Sequence, residues 1–367
     1  MKKVLFFIKT NAVMLIALVA ALITSIIVPP DEKYLEYFDL RTLTCLFTVL
    51  AVVCALKNVR FFYTIAEKIV KTFKNMRLAA LGLVYITFIG SMLIANDMAL
   101  LTFLPLGYFV LISAKKERYM AVVFILQNIA ANLGGMLTPF GNPQNLYLYS
   151  RFGIPDGEFM LIMLPPFLLA ITLITASVFI FIRPESIEFS GREKQLPIPR
   201  VVIYLLLFLF AIVCVFRVIP YWWALIVIVP ALLLLDPIAL CKVDYGLLLT
   251  FVFFFIFSGN MARIDAVKEL FSALLEGSTL VVSAISCQFI SNVPSAILLS
   301  QFTDNYRELL LGVNIGGCGT LISSLASLIT FREYSEHNPG GTAKYIAVFS
   351  AFNFAFLAIM LVFCLVI

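Results

Sequence analysis

The chain has 367 residues, 62% of them hydrophobic and only 13% charged, against roughly 45–50% apolar and about 25% charged in an ordinary soluble domain. Its 26 basic and 21 acidic side chains could not cover so large an apolar interior in water, which excludes a soluble enzyme. Apolar stretches recur from end to end, which also excludes a single anchor on a soluble domain.

Runs near the roughly 20 residues needed to cross about 30 Å of hydrocarbon follow one another along the chain. The N-terminus, MKKVLFFIKT, imitates a signal peptide but lacks a small-residue cleavage site, so it reads as the start of an uncleaved first span. The first half, 1–183, is expected to hold spans at 10–29 and 38–57, an interfacial helix at 60–77, a re-entrant hairpin at 78–112, a broken helix at 119–150 and a span at 158–182. A cytoplasmic linker and an unmatched span fill 184–218. The second half, 219–367, repeats the order: spans at 219–235 and 244–259, an interfacial helix at 262–276, a hairpin at 278–303, a broken helix at 306–331 and a span at 344–365. In both interfacial segments apolar residues recur at helical spacing: Phe61, Ile65, Ile69 and Phe73 beside Lys68, Lys71 and Lys74, then Ile264, Val267, Phe271 and Leu274 beside Arg263, Lys268 and Glu269. Such helices lie in the membrane surface as props.

Charge sets the orientation. With the N-terminus inside, 19 of 26 basic residues fall on the cytoplasmic side, from Lys2, Lys3 and Lys9 through Lys115, Lys116 and Arg118 to Lys242, Arg332 and Lys344. Lys33, Arg41, Arg151, Arg217, Arg263, Lys268 and Arg307 fall outside. This is the positive-inside pattern, so the formal net charge of +5 marks membrane topology and not a nucleic-acid partner. The C-terminus is then extracytoplasmic, in a plasma membrane. Seven scattered cysteines with no CxxC pair, and a single histidine, His337, in a charged loop, leave neither a disulfide framework nor a metal site.

The two halves share a motif. Asn132, Gly134, Gly135 and Thr138 recur as Asn314, Gly316, Gly317 and Thr320 at the same internal spacing, and Asn96 upstream is matched by Asn292. The unmatched span reverses the second copy. The expected fold is therefore an all-α polytopic membrane protein of two inverted-topology repeats, each with a re-entrant hairpin and a broken transmembrane helix, a layout of secondary transporters.

Breaking a helix in hydrocarbon leaves amide and carbonyl groups that cost several kcal/mol each when unpaired. Facing breaks therefore imply a polar chamber, whose helix N-termini suit anions while exposed carbonyls suit Na+. The expected binding residues are Asn96, Asp97, Asn132, Thr138, Gly141, Asn142, Ser291, Asn292, Asn314, Thr320 and Ser323. Gly134, Gly135, Gly316 and Gly317 would permit the turns, or simply close packing, and Pro143 and Pro294 would stop helices. Asn96 and Asn292 could also be mere caps at the hairpin tips. Asn145, just beyond the break, is expected to contribute less.

Asp97 stands in the middle of an apolar stretch, where an ionisable group costs at least a few kcal/mol. Such a carboxylate can bind a cation or take up a proton, which makes it a coupling residue. Its bland role would be to cap the second hairpin arm through the amides of Ala99 or Leu100. No Lys or Arg lies in either tip, so an anionic substrate would be met by helix ends, amides and co-bound cations, whereas Asp97 argues for a cation, a proton or a neutral polyhydroxy species.

IANDMALLTFLPL (94–106), ANLGGMLTPFGNPQNLYLY (131–149), SNVPSAILL (291–299) and VNIGGCGTLISSLASL (313–328) together resemble the ion transporter superfamily, which includes arsenite permeases, citrate and divalent-anion/sodium symporters and a group of sodium/proton antiporters. The likeness covers essentially the whole chain and is greatest to small bacterial permeases between the arsenite and citrate branches. It implies a homodimer among membrane lipids, whose scaffold supports mobile transport domains moving as elevators. It also implies that the tips Ala95-Asn96-Asp97 and Ser291-Asn292-Val293 hold a small anion and Na+, near Asn96, Asp97 and Asn292. Asp97 and Val293 replace the threonine of the divalent-anion symporters, and the Ala-Asn-Asp tip resembles the arsenite-permease pattern. The leading expectation is an elevator-type secondary transporter of a small carboxylate or inorganic oxyanion, with Na+ or H+ as coupling ion and no cofactor. Na+/H+ antiport and arsenite efflux are the alternatives. A membrane-embedded hydrolase would want an acidic mate for Asp97, and an ATP-driven pump a Walker motif.

Overall fold

The computed structural model describes residues 12–187 and 196–367. Lys2, Lys3, Lys9, Arg192 and Lys194, which enter the charge count, lie outside them, as do the first two residues of the 10–29 segment. The described residues form helices and no strand. In chain order these are α1 (Ala12–Ile27), α2 (Leu40–Asn58), α3 (Phe61–Lys71), α4 (Met76–Ile94), α5 (Asn96–Ser113), α6 (Met120–Gly134), α7 (Pro143–Arg151), α8 (Asp156–Phe181) and α9 (Ile198–Val215). They continue as α10 (Trp222–Leu235), α11 (Pro237–Cys241), α12 (Tyr245–Met261), α13 (Asp265–Gly277), α14 (Thr279–Ile290), α15 (Asn292–Leu299), α16 (Tyr306–Ile315), α17 (Leu325–His337) and α18 (Thr342–Val366). Among the described residues seven helices are long and apolar enough to cross a membrane, or eight if α12 and α13, bent by 98°, make one crossing. The chain is an all-α, multi-pass membrane protein.

Local chemistry sets the helix starts. Asp39, Asn75, Asp244, Ser278, Asn305 and Ser324 each accept an amide of the following first turn, which satisfies donors a helix leaves open. Pro143 and Pro294, expected to stop helices, stand instead in the first turns of α7 and α15, where a missing amide hydrogen is harmless. His337 is not in a loop either. It ends α17 and stacks on Tyr108 of α5, ring centroids 3.6 Å apart.

Two hairpins shape the interior. The chain reverses at Ala95 (φ 64°, ψ 152°) between α4 and α5, and at Ser291 (φ 74°, ψ 159°) between α14 and α15. The first hairpin closes tightly enough that a Cβ on Gly90 would stand 2.5 Å from the Phe103 ring. Gln127 of α6, fully buried, pins both arms by donating to Thr87 Oγ1 (3.0 Å) and to the Phe103 carbonyl (3.1 Å). The second hairpin is held by Ser286–Ser295 (2.9 Å) near its tip and Thr279–Thr303 (3.5 Å) at its base. The open ends of the two hairpins lie at opposite ends of α8. Arg77 and Tyr119 reach Ile182 and Glu185 just past its C-terminus, while Tyr306, beyond the second hairpin, donates to Glu158 in its first turn (2.6 Å).

α2 packs against α9, α10 and α11, and α1 lies along α12, which itself packs on α15 of the second hairpin. The hairpins pack with α6 to α8 and α16 to α18, α3 touches α2, α4 and α5, and α2 also meets α7.

Both reversals place a non-glycine residue in backbone space that is nearly glycine-only, worth about 1–3 kcal/mol of strain. Ala95→Gly removes that strain at about 0.5–1 kcal/mol of added unfolded-state entropy, so it should raise the melting temperature in detergent by about 2 °C. A lower melting temperature would mean that Ala95 is unstrained. At the other end of the molecule, Lys116, with Tyr119 and Arg118, holds the Glu185 carboxyl down to about 2. A carboxylate depressed on folding adds stability that is complete above its unfolded value and fades as pH falls through the folded one. Glu185→Gln should therefore lower the melting temperature at neutral pH and flatten its fall between pH 4.5 and about 2. An unchanged pH profile would contradict this.

Candidate functional site

The first break opens where α6 ends at Gly134. A tight turn, Gly135–Leu137, leads through Thr138 to Asn142 before α7 begins. The second runs from Ile315 to Ser324 between α16 and α17. Proximity requires glycine at 134, where a Cβ would lie 2.2 Å from the Phe88 carbonyl oxygen, and leaves little room at Gly317, where one would lie 3.2 Å from the Asn314 carbonyl oxygen and 3.3 Å from Asn292 Nδ2.

The same bonds recur in both halves. Thr138 Oγ1 donates to the Met92 carbonyl (2.8 Å) and Thr320 Oγ1 to the Gln288 carbonyl (3.0 Å), in each case the fourth residue before the tip asparagine. Each tip asparagine accepts the next amide at 2.9 Å, Asn96 from Asp97 and Asn292 from Val293. The residues that precede α7 and α17 then reach across. Asn142 Nδ2 donates to Asn314 Oδ1 (3.3 Å), and Ser324 Oγ donates to Asn132 Oδ1 (2.8 Å).

Asn132 is the hub, since it also accepts from Asn96 Nδ2 (3.1 Å) and donates to the Gly317 carbonyl (3.2 Å). Ser323 Oγ donates to that carbonyl as well (2.8 Å), its own carbonyl accepts the Asn292 amide (3.0 Å), and Ser291 Oγ donates weakly to it (3.4 Å). Gly141 fits against the Gly135 carbonyl, 2.3 Å from where its Cβ would be. Gly135 and Gly316 are as crowded, with the Asn142 side chain and the Gly312 carbonyl in the way of any Cβ. Asn145 is more central than its place beyond the break suggested. It is fully buried, its amide serves the Gly135, Met136 and Thr138 carbonyls, and its Oδ1 accepts from Asn314 at 2.6 Å.

In front of this network lies a cavity of about 780 Å³. Of the expected site residues, Asn96, Asp97, Ser291 and Asn292 line it, with Pro143 and Pro294. Asn132, Thr138, Gly141, Asn142, Asn314, Thr320 and Ser323 do not, and hold the loops behind it. The first residues of α5, α7, α15 and α17 (Asn96, Pro143, Asn292 and Leu325) all stand on its wall, so four positive helix ends converge there.

Acceptors also face it without donors. Asp97 Oδ1 and Gln144 Oε1 on the wall and Asn142 Oδ1 behind it are buried with no hydrogen-bond partner. The Ala99 amide donates to the Ala95 carbonyl (2.9 Å), so Asp97 does not cap its arm through Ala99.

Four charged or amide-bearing residues on the wall had not been expected. Gln144 is 1% exposed, and Asp244, at the N-cap of α12, gives the cavity a second carboxylate. Arg332 and Glu336, placed in a cytoplasmic stretch by the hydropathy reading, line the wall from α17, which runs on to His337. The extra helical turn is the one signal that could have found them. Among the described residues no three His, Cys, Asp or Glu side chains converge as a metal site would need.

Residues 2–305 match the citrate transporter family. The chain is 32% identical over 319 residues to an uncharacterized transporter of Methanocaldococcus jannaschii, covering 83% of this chain and 84% of that protein. It is 29% identical over 282 residues to the inner membrane protein YbiR of Escherichia coli, covering 75% of each. With its cavity bounded by two hairpin tips and two broken helices, the chain belongs to the citrate transporter family, a family of membrane transporters.

Proposed function

We propose that the protein is a secondary active transporter of a small anion, a carboxylate or inorganic oxyanion, driven by a Na+ or proton gradient. The observation that carries this reading is the convergence of four helix N-termini and both tip asparagines on one cavity. Partial positive charge and amide donors meet an anion there without a bare cation in either tip. The unpartnered oxygens of Asp97 and Gln144, and of Asn142 behind them, suit the coupling cation.

Both halves carry the same hydrogen bonds about their breaks, and their hairpins open towards opposite ends of α8. These features support inverted repeats and alternating access. The packing of α9, α10 and α11 about α2, and of the hairpins with α6 to α8 and α16 to α18, supports a scaffold and a moving body, with the movement an elevator and the assembly a homodimer. The basic loops support a cytoplasmic N-terminus and an extracytoplasmic C-terminus in the plasma membrane, the cavity then opening inward beside Asp244 and Arg332.

A second reading, Na+/H+ antiport or arsenite efflux, draws on the same acceptor oxygens, because an occupant made only of acceptors would leave them unsatisfied. No step of either reading is catalytic, so the protein acts as a carrier and not as an enzyme.

Proteoliposomes given citrate, succinate, arsenite, sulfate or phosphate under separate Na+ and proton gradients test both readings. One of these solutes should accumulate under one gradient, whereas Na+ movement against protons with none of them present would favour antiport. Asp97→Asn keeps size and hydrogen bonding while removing the charge. It should abolish gradient-driven accumulation, by tenfold or more in initial rate, and leave folding and counterflow intact. Full accumulation by this variant would end the coupling role.

A further inference from the structure

The corner between α2 and α3 gathers three basic side chains, none of them ion-paired among the described residues. Lys57 closes the last turn of α2 in a half-buried position, and among the described residues it has neither an ion pair nor a side-chain hydrogen bond. Three residues on, Arg60 turns the chain in the left-handed region (φ 59°) and lays its guanidinium over the Tyr63 ring at 4.6 Å. Lys242, just after α11, arrives from the other side, since its Nζ donates to Asn58 Oδ1 (2.8 Å) and its carbonyl accepts from Cys54 Sγ (3.4 Å). Two acids flank Lys242 in the chain: Asp236 accepts from Asn58 Nδ2 (2.9 Å), and Asp244 accepts the Leu247 amide at the start of α12. The adjoining face of α3 exposes Ile65 (40%) and Ile69 (41%) together with Lys68.

From this geometry we infer that Lys57, Arg60 and Lys242 form a binding site for the phosphate headgroup of an anionic phospholipid, with its acyl chains against Ile65 and Ile69. Three cations at the end of a membrane-crossing helix, none of them ion-paired among the described residues, attract anionic lipid. An exposed apolar stripe beside them is what an acyl chain covers and a soluble phosphate does not. Because α3 touches α2 on one side and the arms α4 and α5 on the other, a lipid seated there steadies the packing of the first hairpin on α2. The site is distinct from the cavity and does not depend on the identity of the solute.

The test uses the full chain reconstituted in phosphatidylcholine vesicles with or without about one-fifth phosphatidylglycerol. Phosphatidylglycerol retained through extraction in mild detergent is counted by mass spectrometry, and the melting temperature is followed in parallel. The wild type should retain phosphatidylglycerol selectively and melt higher with it, and both effects should fade in high salt. Lys57→Gln, Arg60→Gln and Lys242→Gln should each weaken retention about fivefold, the factor that about 1 kcal/mol per surface cation represents. Lys33→Gln, at an exposed basic residue elsewhere, should leave it unchanged. Equal retention by the triple variant overturns the proposal, as does the same stabilisation by inorganic phosphate in lipid-free detergent. Should the triple variant fail to fold, Lys57→Gln alone decides the matter by the same two readouts.

Discussion

Everything at the centre of this molecule depends on how two interrupted helices satisfy their open backbone groups away from water. Each break leaves several carbonyl and amide groups that would cost several kcal/mol apiece in hydrocarbon. The solution is mutual. Asn142 of the first break bonds Asn314 of the second, and Ser324 of the second bonds Asn132 of the first. Neither half can be dry and complete alone, so the two halves close on each other, and the tips carrying Asn96 and Asn292 are drawn to the same place. The cavity is what remains on the side where this network stops.

The division of labour follows from that geometry. Residues of the network are spent on holding backbone, and their side chains are largely satisfied. Those with oxygens to spare, Asp97 and Gln144, stand on the cavity wall, with Asn142 directly behind. A buried acceptor left unpaired is expensive unless something arrives to bond it, which is why these atoms, rather than the better-bonded Asn132 or Asn145, are the ones the proposed coupling ion or solute would meet. The strained reversals at Ala95 and Ser291 hold the tip asparagines on the wall of the chamber, and such strain persists only where the surrounding packing over-determines it.

Much of this was legible in the residues. Composition alone gives a multi-pass helical membrane protein, because no other class can hold so much apolar surface. The repeated Asn-x-Gly-Gly-x-x-Thr spacing was readable because a break in hydrocarbon needs close backbone approach and hydrogen-bonding side chains at fixed offsets, and Thr138 and Thr320 make the same bond in each half. What escaped depends on three dimensions. Asp244 is far from Asp97 in sequence and looks like an ordinary helix cap, which it also is. Arg332 and Glu336 were lost because hydropathy ends a helix where charge begins, whereas α17 continues for another turn and a half along the wall. Asn145 was undervalued because its partners are backbone carbonyls and one asparagine of the other half, and neither is visible as a motif.

The central claim is that one chamber serves both sides of the membrane in turn. Leu328, on the cavity wall, reports on it directly once the seven native cysteines are replaced and a single cysteine is placed there. Labelling by a membrane-impermeant maleimide is followed from each face of oriented vesicles, at rest and under an imposed Na+ or proton gradient with the transported solute present. The account predicts reactivity from one face at rest and from both faces during turnover. Reactivity confined to a single face under every gradient would contradict it.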